Sequence, residues 1–248
     1  MAGWPIYVIS LADAVARRKR LLDALNELGT GFVLFDAVDG RKGLPEAFEG
    51  YVDRQKTREN IARDMTDAEY ACALSHFMIY REIRDKNLPG AIILEDDAIL
   101  QPQFAEFHRE AGYEKADLVL LDYSFTRIWR FSRSRLTANL DSGLVSLNPS
   151  LTTGYSISAR GCSFMLENAL PISRTADWPC DITEIGARAC IPRVVDHPEV
   201  EVADSSIHSD RETTFTTRYW HLRRPQRGAF ETRGWKRWLI KRLSRKLA

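Results

Sequence analysis

No apolar run in this sequence approaches the roughly 20 residues needed to cross a bilayer. The longest, "PIYVISLA" and "DLVLLD", are broken by aspartates. An ordinary membrane-spanning helix is therefore excluded. No secretory signal pattern opens the chain, so a cytoplasmic protein is expected. Cysteine is scarce as well: Cys72, Cys162, Cys180 and Cys190 form no C-x-x-C pair and have no histidines at zinc spacing, which argues against a zinc module and leaves reduced, mostly buried thiols as the reading. Internal repeats and low-complexity tracts are missing too, and with them the solenoid architectures. A net excess of one charge is also lacking, since the formal charge is only +1. That balance conceals an asymmetry. From Arg218 onward there are eleven Lys/Arg and one acid, so the body is near −9 and the tail near +10, which predicts an anionic partner for the tail.

With 248 residues, 44% hydrophobic and 28% charged, the chain can bury a full core. The expected organisation is one body, residues 1–217, and a basic tail, residues 218–248. "PIYVISL" reads as a strand, and Leu21, Leu22, Leu25 and Leu28 recur at helical spacing before Gly29, a stop signal. "GFVLFDAV" follows as a second strand. Residues 41–65 are charged and weakly patterned. From Thr66 the segment "TDAEYACALSHFMIYREIRD" predicts a helix, with Thr66 and Glu69 at capping-box spacing. "AIILEDD" and "DLVLLDYS" read as strands with a helix near 104–112 between them, and "LTTGYSIS" and "GCSFMLENAL" as a strand and a helix. Strands apolar on both faces and separated by helices predict an α/β fold with a mixed, mostly parallel central sheet flanked by helices.

The stretch "AIILEDDAIL", residues 91–100, ends an apolar strand in three acids. Unpaired carboxylates are costly to bury, so Glu95, Asp96 and Asp97 need solvent, basic partners or a cation. In open α/β sheets ligands gather outside the carboxyl ends of strands. Alternation along an extended backbone would put Glu95 and Asp97 on one side and Asp96 on the other, and two hard oxygen donors on one side suit Mg²⁺ or Mn²⁺. A solvated acidic turn paired with arginines is the alternative.

The motifs "YVISLADAVARRKRL", "FDAVDG", "ACALSH", "AIILEDDAIL", "TTGYSISARG" and "PISRTADWPCDI" occur in that order over residues 6 to about 182. In this the sequence resembles glycosyltransferase family 25, the lipooligosaccharide and lipopolysaccharide galactosyltransferase-like enzymes. The resemblance implies a GT-A fold, a UDP-sugar donor and a divalent cation, usually Mn²⁺, held by an acid-x-acid motif. It matches that motif to Glu95-Asp96-Asp97, with Asp97 in direct coordination and Glu95 or Asp96 on metal-bound water or the ribose. It also implies inversion, with a base on the acceptor hydroxyl. Asp177 matches the acceptor-side carboxylate, Asp181 is the second choice, and helix capping is the bland reading of both. Trp178 is a sugar platform or core.

Arg17 and Arg18 match basic positions in the first motif and could reach the donor phosphates, or belong to a solvated helix face. Ser10 stands where the family often has Asn. Ala37, Val38, Asp39 and Gly40 match the second motif, expected near the nucleoside. His76 is expected to orient the acids from behind, and His208 in "SSIHSD" is the candidate late histidine ligand.

The end of the tail, "GWKRWLIKRLSRKLA", spaces Trp235, Leu239, Leu243 and Leu247 four apart among six cations. As a helix this has the composition of an interfacial membrane segment, though packing on the acidic body competes. No base-reading motif is present, so no specific nucleic-acid partner is expected. The functional expectation is a hexosyltransferase, moving galactose from UDP-galactose to a terminal sugar of a lipid-linked oligosaccharide, peripheral on the inner face of a bacterial cytoplasmic membrane. A nucleotidyltransferase with a similar acid-metal site and a nonenzymatic, membrane-associated glycan- or nucleotide-sugar-binding protein are the alternatives.

Overall fold

The computed structural model describes residues 3–198 and 230–247. Three parallel strands form one end of its main sheet: β1 (Ile6–Ser10), β2 (Phe32–Asp36) and β3 (Gly90–Glu95). The sheet continues through β5 (Leu118–Leu120), β6 (Arg127–Trp129), β7 (Ser134–Arg135), β8 (Asp141–Leu147), β9 (Gly154–Ser158), β10 (Arg188–Ile191) and β12 (Ser244–Lys246). Its order is β12-β6-β8-β10-β5-β9-β3-β1-β2, with β7 paired to β8. Strand β9 runs antiparallel between β3 and β5, so the sheet is mixed, as expected. A separate pair, β4 (Ile99–Leu100) with β11 (Val195–Asp196), lies just beyond the acids.

The continuous apolar runs are explained by helices on both faces. Tyr7, Ile9, Ala91, Ile93, Leu118 and Leu120 pack with α4 (Asp67–Asp85) and α6 (Ala159–Asn168). Their alternates Ile6, Val8, Ile92, Leu94 and Val119 pack with α1 (Val15–Glu27) and α5 (Phe104–Arg109). Each strand residue therefore has an apolar layer to enter, whichever way it points.

Local signals fix the helix ends. Thr66 accepts from Glu69 N, and Glu69 accepts from Thr66 N, closing the predicted capping box. Gly29 stops α1 at φ 64°, a conformation glycine adopts without a Cβ penalty. The weakly patterned 41–65 stretch holds two short helices, α2 (Glu46–Glu49) and α3 (Arg54–Ile61).

The tail departs from a single helix. α7 (Phe230–Leu243) stops, and Ser244–Lys246 pair antiparallel with β6 as strand β12. Leu247 then packs at the core, leaving the predicted apolar stripe. Arg127 explains the break: it donates to Ser244 Oγ at 2.8 Å and to the Lys241 and Ser244 carbonyls, capturing the backbone where the helix ends.

Candidate functional site

The acids sit where parallel strands β1 and β3 end. Alternation stops at Glu95: Ala98 N donates to the Glu95 carbonyl at 3.0 Å and turns the chain. Asp96 consequently does not point away from Asp97, as an extended backbone would require. Arg17, projecting from α1, reaches both, with Nε 2.8 Å from Asp96 Oδ1 and Nη2 2.6 Å from Asp97 Oδ2. Ser10 Oγ donates to Asp96 Oδ2 at 2.9 Å, so both Asp96 oxygens are occupied. Arg18 donates to the Leu11 carbonyl and to Ser10 Oγ, bracing this loop.

Glu95 is held differently. Its Oε1 accepts from Thr152 Oγ1 at 2.8 Å and lies 3.2 Å from His76 Nε2. The other His76 nitrogen, Nδ1, meets Tyr155 Oη at 2.8 Å, and Tyr155 Oη meets Tyr80 Oη at 3.0 Å. His76, Tyr80 and Tyr155 are all buried. The ring of His76 is thus oriented from behind, and through it the carboxylate.

Burial opposes ionisation of Glu95, but the bonds from His76 and Thr152 and the Arg17 charge win, and its pKa is lowered. For Asp97 burial and then the Glu95 charge prevail over Arg17, and the pKa is raised. Asp97 Oδ1 is buried without a hydrogen-bond partner. A buried carboxylate oxygen with no donor is costly, and a divalent cation would satisfy it. A carboxylate oxygen is a hard donor that fits Mg²⁺ or Mn²⁺. The three consecutive acids do not converge on one point; the group here that places one ligand atom each within 4.8 Å of one another is Cys72, His76 and Glu95, a softer donor set.

Beside the acids opens a cleft with a cavity volume of about 110 Å³. Ala37, Val38, Asp39 and Gly40 line it together with Ser10, Arg17 and His76. Ser75 Oγ accepts from Val38 N at 2.9 Å and ties that loop to α4. Asp39 is held by Arg41, whose hydrogen bonds lower its pKa to about 2.

Asp177 Oδ1 accepts from Leu151 N at 3.1 Å, next to the threonine that holds Glu95. No helix follows it, so it is not a helix cap. Trp178 is buried edge-on against Tyr155, which makes it core and not an exposed platform. Its φ of 77° is unusual for a bulky residue. Asp181 is not brought to the acids. It closes a local turn on Thr183 and lines a different depression with Lys56, Arg174 and Glu184. His208 lies outside the described residues.

A further constellation was missed in the sequence. Fully buried Asp122, at the end of β5, lies 2.8 Å from His197 Nδ1 through its Oδ2, and Asp196 and Arg193 complete the group. Burial raises the Asp122 pKa against the charges of His197 and Arg193. The two halves lie 75 positions apart, and only "DLVLLD" ending in an acid hinted at one of them.

Several known proteins are similar to this chain. A lipooligosaccharide biosynthesis protein, lic2B, of Haemophilus influenzae is 30% identical over 104 residues, 42% of this chain and 37% of that one. The lacto-N-neotetraose biosynthesis glycosyltransferase LgtE of Neisseria gonorrhoeae is 27% identical over 169 residues, 65% of this chain and 59% of that one. A mouse protein named inactive glycosyltransferase 25 family member 3 is 28% identical over 159 residues, 61% of this chain and 25% of that one. In each, the match spans less than two thirds of the relative's length. The profile of glycosyltransferase family 25, described as LPS biosynthesis protein, matches residues 4–182, and the chain belongs to that family.

Proposed function

We propose that this protein is an inverting, divalent-cation-dependent glycosyltransferase that moves a hexose, galactose from UDP-galactose, onto a terminal sugar of a bacterial lipooligosaccharide or lipopolysaccharide. The carrying observation is the buried, partnerless Asp97 Oδ1, next in sequence to Glu95 and Asp96, which line the cleft. Family membership and the printed names of lic2B and LgtE support the glycan class, and a Xenopus laevis relative named procollagen galactosyltransferase 1-B supports the sugar.

In this reading Asp97 would hold the Mn²⁺ or Mg²⁺, with Glu95, oriented by His76 and Thr152, as the second carboxylate toward it. When bound, the ion would neutralise the donor pyrophosphate and stabilise the charge that grows on departing UDP. Arg17 is the adjustable cation. It pairs with Asp96 and Asp97, and with an ion bound to those acids it would be available to the donor phosphates. The 37–40 loop receives the nucleoside. Asp177, tied to the Leu151–Thr152 segment, takes the proton from the acceptor hydroxyl as it attacks from the face opposite UDP. In this reading the enzyme works on the cytoplasmic face of the bacterial membrane, where a lipid-linked acceptor would be confined.

The test is UDP release from a panel of UDP-sugars with Mn²⁺, with and without EDTA, using galactose-, glucose- and N-acetylglucosamine-terminated acceptors. Metal-dependent release with one donor supports the reading. Calorimetry that detects neither Mn²⁺ nor UDP-sugar binding would overturn it. Binding without turnover would favour a noncatalytic role, which the mouse relative's name makes a concrete second reading.

A further inference from the structure

At the sheet edge remote from the acids, two elements separated by a hundred residues build one surface. The first is α7, with Trp235, Trp238, Leu239 and Leu243 exposed. The second is the segment running from β6 to β7, two strands laid successively along β8, "SFTRIWRFSRSR" over residues 124–135, whose Phe131 is fully exposed and whose Phe125 is 77% exposed. They are fastened to each other: Arg130 N donates to the Leu243 carbonyl at 3.1 Å and Arg130 Nε to the Arg242 carbonyl at 3.1 Å. Phe131 therefore follows directly on a residue bonded to the end of the tryptophan-bearing helix.

Cations surround these rings. Arg242 lies 5.3 Å over Trp238 and Lys246 5.9 Å over Phe125. Lys241 and Arg245 are exposed beside them. The β6–β7 segment contributes four arginines and no acid. Asp141 offsets Arg133 and Arg135 at the rim, and the remaining cations of the surface face no carboxylate among the described residues. Exposed aromatics ringed by Lys and Arg are costly in water but suit the interface of an anionic bilayer, where the rings enter the headgroup boundary and the cations meet lipid phosphate.

We propose that α7 and the β6–β7 segment together form a docking face for an anionic lipid bilayer. The surface is composite: the helix alone does not make it, and the rings of the β6–β7 segment enter the lipid with those of the helix. Because the sheet order puts β12 and β6 at the edge away from β1 and β3, docking leaves the cleft uncovered. This deepens the membrane placement given above, but its test needs no sugar transfer.

The experiment is flotation of the full chain with vesicles of phosphatidylcholine alone or with one third phosphatidylglycerol, at low and high salt. The wild type is expected to float with the anionic vesicles, to lose binding at high salt, and to show a blue-shifted tryptophan emission when bound. Phe125→Ser/Phe131→Ser and Trp235→Ser/Trp238→Ser are each expected to weaken partitioning about tenfold or more, with melting temperature and UDP release to a soluble acceptor unchanged. The single variant Phe131→Asp alters a side chain that packs on nothing, so it separates docking from folding. Wild-type binding by Phe131→Asp would overturn the composite face. Equal binding to neutral vesicles, or binding to duplex DNA but not to vesicles, would overturn the lipid assignment.

Discussion

Arg17 Nη2 lies 2.6 Å from Asp97 Oδ2, across 80 positions of sequence, while the second oxygen of the same carboxylate is buried with no partner. The guanidinium thus does half of what a cation would do. Replacing it, in Arg17→Ala, leaves two partly buried carboxylates without their counter-charge and should destabilise the metal-free protein by about 1–2 kcal/mol. For a chain of this size each kcal/mol moves the midpoint by about 2–4 °C. Saturating Mn²⁺ should restore most of the loss, so the metal-induced rise in melting temperature should be larger in the variant than in the wild type. An unchanged metal-free melting temperature would show that the bridge contributes nothing.

Asp97→Asn tests the other partner, and its sign follows from the raised pKa. Where the folded pKa lies above the unfolded one, the folded state holds its proton longer, so this group lowers stability as pH rises from the unfolded carboxylate pKa through the folded one. Glu95, with a lowered pKa, works in the opposite sense, and because its charge opposes ionisation of Asp97, the variant also relieves that repulsion, which adds to the same advantage. Without metal the variant should melt higher than the wild type at pH 7, with the advantage shrinking toward pH 4. It should also lose the Mn²⁺-induced rise and most turnover. A variant that still binds Mn²⁺ with wild-type affinity would remove Asp97 from the metal.

Behind Glu95 stands the chain from His76 to Tyr155 to Tyr80. Groups that orient a ligand in this way typically matter by 10–100-fold in metal affinity or activity, and His76→Ala should fall in that range, read as Mn²⁺ affinity and kcat. Tyr155→Phe keeps the ring but strips His76 Nδ1 of its partner. An unsatisfied buried polar group costs about 1–3 kcal/mol, so this variant should lose stability as well as metal affinity. Loss of stability with unaltered Mn²⁺ affinity would reduce the chain to a structural role.

Much of this architecture was legible because it is local. The alternates in "IYVIS" and "AIILE" both needed apolar partners, which forced a sheet covered on two faces, and Thr66 with Glu69 wrote out its own cap. What escaped was nonlocal or depended on one backbone turn. The turn after Glu95 moves Asp96 to the side of Arg17, and strand alternation could not show it. Asp122 meets His197, and Ser244 meets Arg127 across 117 positions, by sheet order that no periodicity encodes. "SRK" has no apolar alternation at all and becomes a strand because β6 presents an open edge to it.

The thiols carry a pH prediction. Burial pushes Cys162 and Cys190 up to about 12, and Cys180 up to about 11, helped by Glu184 and Asp181. Since only the thiolate is nucleophilic, native Cys162 and Cys190 should resist iodoacetamide at pH 8, whereas the unfolded chain should react at all four cysteines. Above the ordinary thiol pKa of 9 the unfolded chain releases these protons while the folded one keeps them, so stability should fall as pH rises from about 9 toward 12. Mass spectrometry after pulsed alkylation reads the first outcome and chemical denaturation across pH the second. Rapid native labelling of Cys190 would contradict the burial.

The last five residues test whether the tail completes the fold or merely follows it. Ser244 is fully buried, Leu247 packs at the core, and Leu247 N donates to the Thr126 carbonyl at 2.9 Å. Deleting residues 244–248 removes a strand ladder and a partly buried leucine, a loss of about 2–4 kcal/mol, and turns β6 into an exposed edge open to pairing with other chains. The truncated protein should melt several degrees lower and associate at high concentration. Because the β12–β6 ladder and the Arg127 bonds to Ser244 fasten the end of α7 to the sheet, the helix should also lose its fixed orientation, so anionic vesicles should bind the truncated chain more weakly although every exposed tryptophan is still present. Unchanged melting and unchanged vesicle binding together would mean that β12 contributes nothing, and that the helix acts as an independent appendage.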